Sequence, residues 1–464
     1  MTAPHLTTAE VARRLGVKPA TVYAYVSRGL LRSRRNADGK GSLFDPADVA
    51  AFAAERRRTT RSDATPAIHT GITLIARDGL SYRGHDAVEL ARSRPYEEVV
   101  SLLWTGSLVR TDLHSPPELR ALAEAVTAAL PATARLSDRL RVIVAAAAAA
   151  DPMRFDTSPA AVVATAGTVL ATMVDALPLR PGAVAPPPSA RLADRLWPRL
   201  TATPATPAGS AALNAALVLL ADHDIAASTL AARVAASIRA HPYAVVAAGL
   251  AAHDGPLHGG ASGLAYRLLA DATRSGDPVR EISERLRTDG VVPGFGHRLY
   301  PDGDPRAAAL LAMLPDAPPT APVPADGGTG GRAAIDALLV AMDRRSKATP
   351  NVDFALAALA LLTSMGPDAG ETIFAVARTA GWIAHALEEY ADAPSRFRPV
   401  GRYTAIDPGR NTPARTADRG FAPSGAFTAI TFASSDVQDP PHRSTPGADT
   451  STERHTDADR GSGR

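Results

Sequence analysis

At 464 residues the chain exceeds the roughly 250–300 residues at which one hydrophobic core usually stops growing, so two or three domains are expected. Apolar residues make up 45% but aromatics only 5%, a share carried by Ala, Leu and Val that suits close-packed helices, and the lack of cysteine excludes disulfides, thiolate catalysis and Cys-ligated zinc. The net charge of +3 hides an asymmetry, with 12 Lys/Arg against 5 Asp/Glu in residues 1–62 and an acidic remainder, so contact with a polyanion is expected of that end alone.

In chain order, Thr7-Thr8-Ala9-Glu10 reads as a capping box that opens a helix to about Leu15. Gly16 breaks it, and a second short helix, Thr21 to Arg28, ends at Gly29. Arg32, Arg34, Arg35 and Lys40 flank a turn, Asn36-Ala37-Asp38-Gly39, able to join two short strands as a basic wing. Asp45-Pro46 opens one more helix, and residues 56–66 read as an exposed linker.

In "TTAEVARRLGVKPATVYAYVSRGLL" and "FDPADVAAF" this end resembles the winged helix-turn-helix of the MerR and excisionase type. The resemblance implies a second helix in the DNA major groove, with Thr21, Tyr23, Tyr25 and Arg28 as DNA-binding residues. A helical adaptor for another protein, with a solvated basic face, remains open.

From Gly71 a strand-like opening leads into Ala-rich helices, interrupted by Pro-rich loops at 178–198 and 204–207. Helices continue to about Tyr390, around a Pro/Gly-rich surface loop at 315–331. The apolar runs Val142–Ala150 and Leu356–Leu362 are too short to span a bilayer, and a soluble, cytoplasmic protein without a membrane partner is expected.

Four segments place a histidine, acid or arginine at a glycine-rich turn or a helix start, where a ligand can approach. Ala221-Asp222-His223-Asp224 lies on an expected helix, and His258 is set between Gly255-Pro256 and Gly259-Gly260. His297 follows Gly294-Phe295-Gly296, and Asp304-Pro305 then caps a helix that presents Arg306 at its positive end. Asp353 sits in the first turn of "DFALAALALL", where the helix dipole favours an ionised carboxylate. His223, His258 and His297 are 35 and 39 residues apart, with none of the short spacings of metal ligands, so no metal is expected.

Together "ADHDIAAST", "GPLHGGA", "GFGHRLYPDGDPR", "PNVDF", "ARTAGWIAH" and "RPVGRY" resemble the citrate synthase family, in its order and near its spacings. The resemblance implies a mainly all-α fold: a large domain over 63–262 and 366–405, a small domain over 263–365, a winged helix-turn-helix over 1–62 and a disordered tail over 406–464. It further implies condensation of acetyl-CoA with oxaloacetate to citrate, or of propionyl-CoA in a 2-methylcitrate synthase, with the CoA thioester as co-substrate and no other cofactor. Asp353 takes the position of the base, His258 that of the thioester-oxygen donor and His297 that of the acid on the oxaloacetate carbonyl. His223, Arg306, Arg378 and Arg398 take the substrate-carboxylate positions, Arg398 from the other subunit of a homodimer. Gly294, Phe295 and Gly296 fall in the CoA-facing loop. A DNA-binding regulator whose synthase-like body only senses citrate, oxaloacetate or CoA esters is the rival from another class.

Two departures from the family pattern stand out. Leu220 and Ala226 replace a histidine and an asparagine common near His223, and Ser262 stands where asparagine is frequent.

Overall fold

The computed structural model describes residues 5–15, 17–27, 31–35, 42–50, 52, 68–77, 79–315, 330–397 and 399. The expected linker, the wing turn, Arg28, Arg398, nearly all of the 315–331 loop and the 406–464 tail lie outside them.

In the N-terminal module the capping box forms around Thr7. Its Oγ1 accepts from Glu10 N at 3.4 Å, and Glu10 Oε2 accepts from Thr7 N at 2.8 Å, opening the helix Thr8–Leu15. The second helix is Pro19–Ser27, starting before the expected Thr21 because proline pre-sets the backbone of a first helical turn. Arg34–Arg35 and Ser42–Phe44 pair antiparallel as the wing requires, and Leu6–Thr7 adds an unforeseen third strand on the other edge of Ser42–Phe44. Val11, Val22, Leu31, Phe44 and Val49 close a small core beneath them.

The body opens on a small antiparallel sheet, Thr73–Ile75, Leu80–Tyr82 and His85–Asp86, and is otherwise helical. One helix organises it. Ala369–Ala391 is buried without interruption from Ala369 to Ala386, because helices Pro159–Asp175, Pro207–Leu220, Ala227–Ser237 and Pro242–His253 pack around it. The expected loop at 178–198 is shorter than its prolines suggested, since Leu192–Leu200 is a helix that contains Pro198. Buried anchors override the proline: Arg195 Nε donates to Asp175 Oδ1 at 2.9 Å, and Arg199 Nη2 to the Asp175 carbonyl at 2.8 Å.

The body has two apolar cores. The larger gathers residues from Ile72 to Ala386, and the smaller takes its members from Ala265 to Leu362. The helix Val352–Leu362 belongs to both: Val352, Ala355, Leu356 and Leu359 face the first, Phe354, Ala357, Ala358 and Leu362 the second. Its apolar residues recur on every side, and a helix with no polar face must be covered all round. Among the described residues no helix is long and apolar enough to cross a membrane.

Candidate active site

His223 sits on a turn rather than on the expected helix. Pro207–Leu220 ends at Leu220 and the next helix begins at Ala227. Between them Asp224 adopts φ 52°, a left-handed conformation that short polar side chains tolerate better than most and that no α-helix continues through. The turn is clamped to the long central helix and the small sheet. Arg378 Nε donates to Leu220 O at 2.8 Å, Gly381 N to Ala221 O at 3.0 Å, and Tyr82 Oη lies 3.1 and 3.0 Å from the Leu219 and Asp222 carbonyls. Gly381 is required here: a Cβ on it would stand 2.3 Å from Asp222 Oδ1. His223 is buried, its Nε2 3.0 Å from Tyr300 Oη and its ring edge-on to His297 at 5.5 Å. Burial, with the charges of Arg306, Arg378, His297 and His258, holds its pKa well below the ordinary value. All five side chains therefore share one electrostatic neighbourhood.

The loop carrying His297 is stitched to the helix carrying Asp353. Gly296 N donates to Thr349 O at 2.8 Å and Asn351 N to Gly294 O at 2.9 Å. Asn351 does double duty, its Nδ2 donating to Gly296 O at 2.9 Å while its Oδ1 caps the helix by accepting from Asp353 N at 3.0 Å. Gly294 has φ 84°, and a Cβ there would meet Phe354 Cβ at 2.9 Å, so glycine serves both the backbone shape and the close approach. Phe295 stacks at a tilt on Phe354, 4.9 Å between centroids. His297 Nδ1 accepts from Leu299 N at 3.1 Å, and its Nε2 lies 3.4 Å from Arg306 Nη2. Burial and the nearby Arg306 lower its pKa.

Asp304 and Arg306 form a buried fork. Arg306 Nε and Nη2 donate to the two Asp304 oxygens at 3.0 and 2.8 Å, and Asp304 Oδ2 also accepts from Val352 N at 3.0 Å. Burial alone would raise the Asp304 carboxyl, but Arg306, His297 and backbone N–H groups outweigh it and hold it below the ordinary range. Asp353 is the reverse. Its Oδ1 is enclosed with no hydrogen-bond partner among the described residues, and burial pushes its pKa up to about 7 despite Arg306. The helix dipole expected to favour an ionised Asp353 is thus outweighed by loss of water.

His258 lies on the turn between helices Pro242–His253 and Ala261–Ser275, with its Nε2 2.7 Å from Ser228 Oγ. Ser228 Oγ also accepts from Trp382 Nε1 at 3.2 Å, which fixes the hydroxyl beside the ring. Burial and Arg378 lower the His258 pKa to about 4, so the ring is neutral at pH 7. Phe374 and His253 pack edge-on to it, at 5.3 and 5.0 Å. Gly259 rests on His253, where a Cβ would come within 2.2 Å of Nε2. Ser262 packs closely on Gly370, where a Cβ would come within 2.6 Å of Ser262 Oγ.

Arg378 is fully buried, with Nε spent on Leu220 O while Nη1 and Nη2 find no partner among the described residues. Burial draws its pKa down to about 10, leaving a cation at pH 7 that lacks a full complement of acceptors. Of the expected oxaloacetate ligands, His223, Arg306 and Arg378 come together, and Arg398 lies outside the described residues. Gly294, Phe295 and Gly296 form the backbone edge next to His297. No group of three or more His, Asp or Glu able to hold a metal occurs among the described residues.

In the N-terminal module Tyr23 is 53% exposed and Thr21 half-buried, whereas the Tyr25 ring packs on Phe52 at 5.1 Å and helps close the core. The sequence reading missed Tyr82, Ser228, His253, Tyr300 and Asp304 as parts of the site. Only Asp304 left a signal, as a helix cap, and its second task of gripping Arg306 shows only in three dimensions.

A family model described as "Citrate synthase, C-terminal domain" matches residues 62–400, and one described as "Helix-turn-helix domain" matches residues 6–57. Citrate synthase of Haloferax volcanii is 33% identical over 349 residues, covering 70% of this chain and 89% of that protein. 2-Methylcitrate synthase 2 of Corynebacterium glutamicum is 29% identical over 345 residues, covering 70% and 88%. Among solved structures, the ternary complex of carboxymethyl coenzyme A and oxaloacetate with citrate synthase from Thermoplasma acidophilum matches with a TM-score of 0.59 at 22% identity, covering 76% of this chain and 98% of that one.

Proposed function

The chain belongs to the citrate synthase family, and we propose that it condenses acetyl-CoA with oxaloacetate and water to citrate and CoA. One observation carries the proposal. Arg378, a buried guanidinium with two nitrogens unclaimed among the described residues, bears electrostatically on His223 and His258, and Arg306 bears in turn on His223, His297 and Asp353, whose Oδ1 is likewise unclaimed. Oxaloacetate is a dianion and supplies the acceptors that Arg378 lacks.

In this reading Arg378, Arg306 and His223 hold the oxaloacetate carboxylates, joined by Arg398 of a second subunit in a homodimer. Asp353 removes a proton from the methyl carbon of the thioester, a task for which a base poised near pH 7 is well matched. The enolate oxygen accepts a hydrogen bond from His258, worth about 2.7–4 kcal/mol of barrier when the donor is preorganised. His297 is the acid on the ketone oxygen as the carbon–carbon bond forms, and water then cleaves the thioester. The backbone of Gly294, Phe295 and Gly296 faces the CoA moiety. The two cores support a large domain over 63–262 and 366–405 and a small one over 263–365, whose closure excludes water from the thioester.

Release of CoA thiol, measured with acetyl-CoA and with propionyl-CoA in the presence of oxaloacetate, tests this directly. Turnover with acetyl-CoA at the higher kcat/KM supports the proposal. A preference for propionyl-CoA would make the enzyme a 2-methylcitrate synthase, a choice worth only about 1–3 kcal/mol in an apolar pocket. No turnover with either would leave a sensor.

The helix-turn-helix match favours a second activity in the same chain: DNA binding through residues 1–62, with Thr21, Tyr23 and Arg28 at the groove and Tyr25 as their brace. Binding that weakens steeply with salt, and full condensation activity after removal of residues 1–62, are the expected outcomes.

A further inference from the structure

The segment ARTAGWIAH holds a histidine, His385, to which the proposed chemistry gives no task. It is fully buried, one turn beyond Gly381 on the long central helix. Its Nδ1 faces Arg233 Nη1, a group that can only donate, so Nδ1 is the acceptor and the ring proton sits on Nε2. That proton points at Asp222 Oδ2, 3.3 Å away. Asp222 is itself fully buried and accepts a second bond from Thr73 Oγ1 at 2.5 Å.

The line continues outward. Arg233 donates from Nε to Glu389 Oε1 at 2.5 Å and from Nη1 to Glu388 Oε2 at 2.7 Å, and Arg396 Nε donates to Glu389 Oε2 at 2.8 Å. Polar groups from four separated segments thus run to the residue that directly precedes His223. Stability alone does not call for such a line, because apolar side chains of similar volume usually serve a core as well or better. What it provides is direction: two donors, Thr73 Oγ1 and His385 Nε2, hold Asp222 Oδ2, and the His223 peptide follows it.

We propose that His385 is a positioning residue for oxaloacetate: by holding Asp222 it fixes the turn that presents His223 and the Leu220 carbonyl on which Arg378 rests. The inference rests on the functional reading above.

The test compares His385→Leu, His385→Gln and Thr73→Val with the full-length enzyme, reading the KM of oxaloacetate, the KM of acetyl-CoA, kcat and the thermal midpoint. His385→Leu should raise the oxaloacetate KM roughly tenfold or more, as expected for a lost hydrogen bond to a charged group, while the acetyl-CoA KM stays within about twofold. Gln can donate to Asp222 and accept from Arg233, so it should recover most of the loss. Thr73→Val keeps the side-chain shape and removes the other Asp222 donor, and should raise the oxaloacetate KM by roughly threefold, combining less than multiplicatively with His385→Leu. An oxaloacetate KM unchanged in both folded Leu and Val variants, with only the thermal midpoint lowered, would overturn the inference and leave the functional reading standing. Absence of condensation by the wild-type enzyme would sink both.

Discussion

Two helix starts meet in the site and are built in opposite ways. At residues 304–306 an aspartate is given everything a carboxylate can use, a guanidinium fork and backbone N–H groups, and its pKa falls. At residues 351–353 the cap is a neutral asparagine, and the aspartate beyond it is left with one oxygen enclosed and unpaired, so its pKa climbs to about 7. The first aspartate is a fixed charge that aims Arg306. The second is the group proposed as the base, left free to take up a proton. The lesson is that position at a helix N-terminus does not set the role of an acid, whereas the partners it is granted do.

The sharpest way to break the comparison is Asp353→Asn. Activity should fall by roughly 10²–10⁴-fold, the usual contribution of a positioned base, while the thermal midpoint at pH 8 should rise by a few degrees as a half-buried charge with one unpaired oxygen disappears. Loss of activity with a lowered midpoint would mean that Asp353 also holds the fold. His258→Ala is expected next, at roughly 10²–10³-fold in kcat with oxaloacetate affinity little changed, checked by steady-state rates and calorimetry. Asp304→Asn should act on binding and stability instead: breaking a buried pair costs about 3–5 kcal/mol, so the midpoint should drop and the oxaloacetate KM rise. Equal effects of the Asp304 and Asp353 variants on kcat would erase the contrast.

The pH profile sharpens it further. The folded pKa of Asp353 is raised, so the folded state holds its proton more tightly than the unfolded chain does. Stability from this group is therefore full below about pH 4 and lost as pH rises through about 7, while kcat/KM should climb over the upper part of that range as the base ionises, roughly tenfold per unit below its pKa. The smallest expected effect is that of Asn351→Ala. It removes a cap worth about 1 kcal/mol and the bond to Gly296, and should loosen the His297 loop with a modest loss of kcat.

Much of this site is legible in the chain because its side chains lie in short, glycine-punctuated segments. His258, His297, Arg306 and Asp353 can each be picked out from the residues beside them. What stays hidden comes from packing at a distance. No glycine or proline lies between Leu220 and Ala227, so the stretch reads as helix, yet Asp224 and the clamp from Arg378 and Gly381 break it. Pro198 reads as a stop, yet the buried Asp175 holds the surrounding arginines in a helix. The roles of Tyr82, Ser228 and His385 each depend on a partner more than a hundred residues away, Asp222 for Tyr82 and His385 and Trp382 for Ser228. The pKa of Asp353 follows from enclosure, which no local pattern records.

The helix Val352–Leu362 has one further consequence, for how the body comes apart. Since one side of it completes the larger core and the other side the smaller, neither core can melt alone without stripping apolar surface from a strand of backbone that the other still needs. Unfolding of the two should therefore be one cooperative event, and the amides of that helix should be among the last in the body to exchange with heavy water.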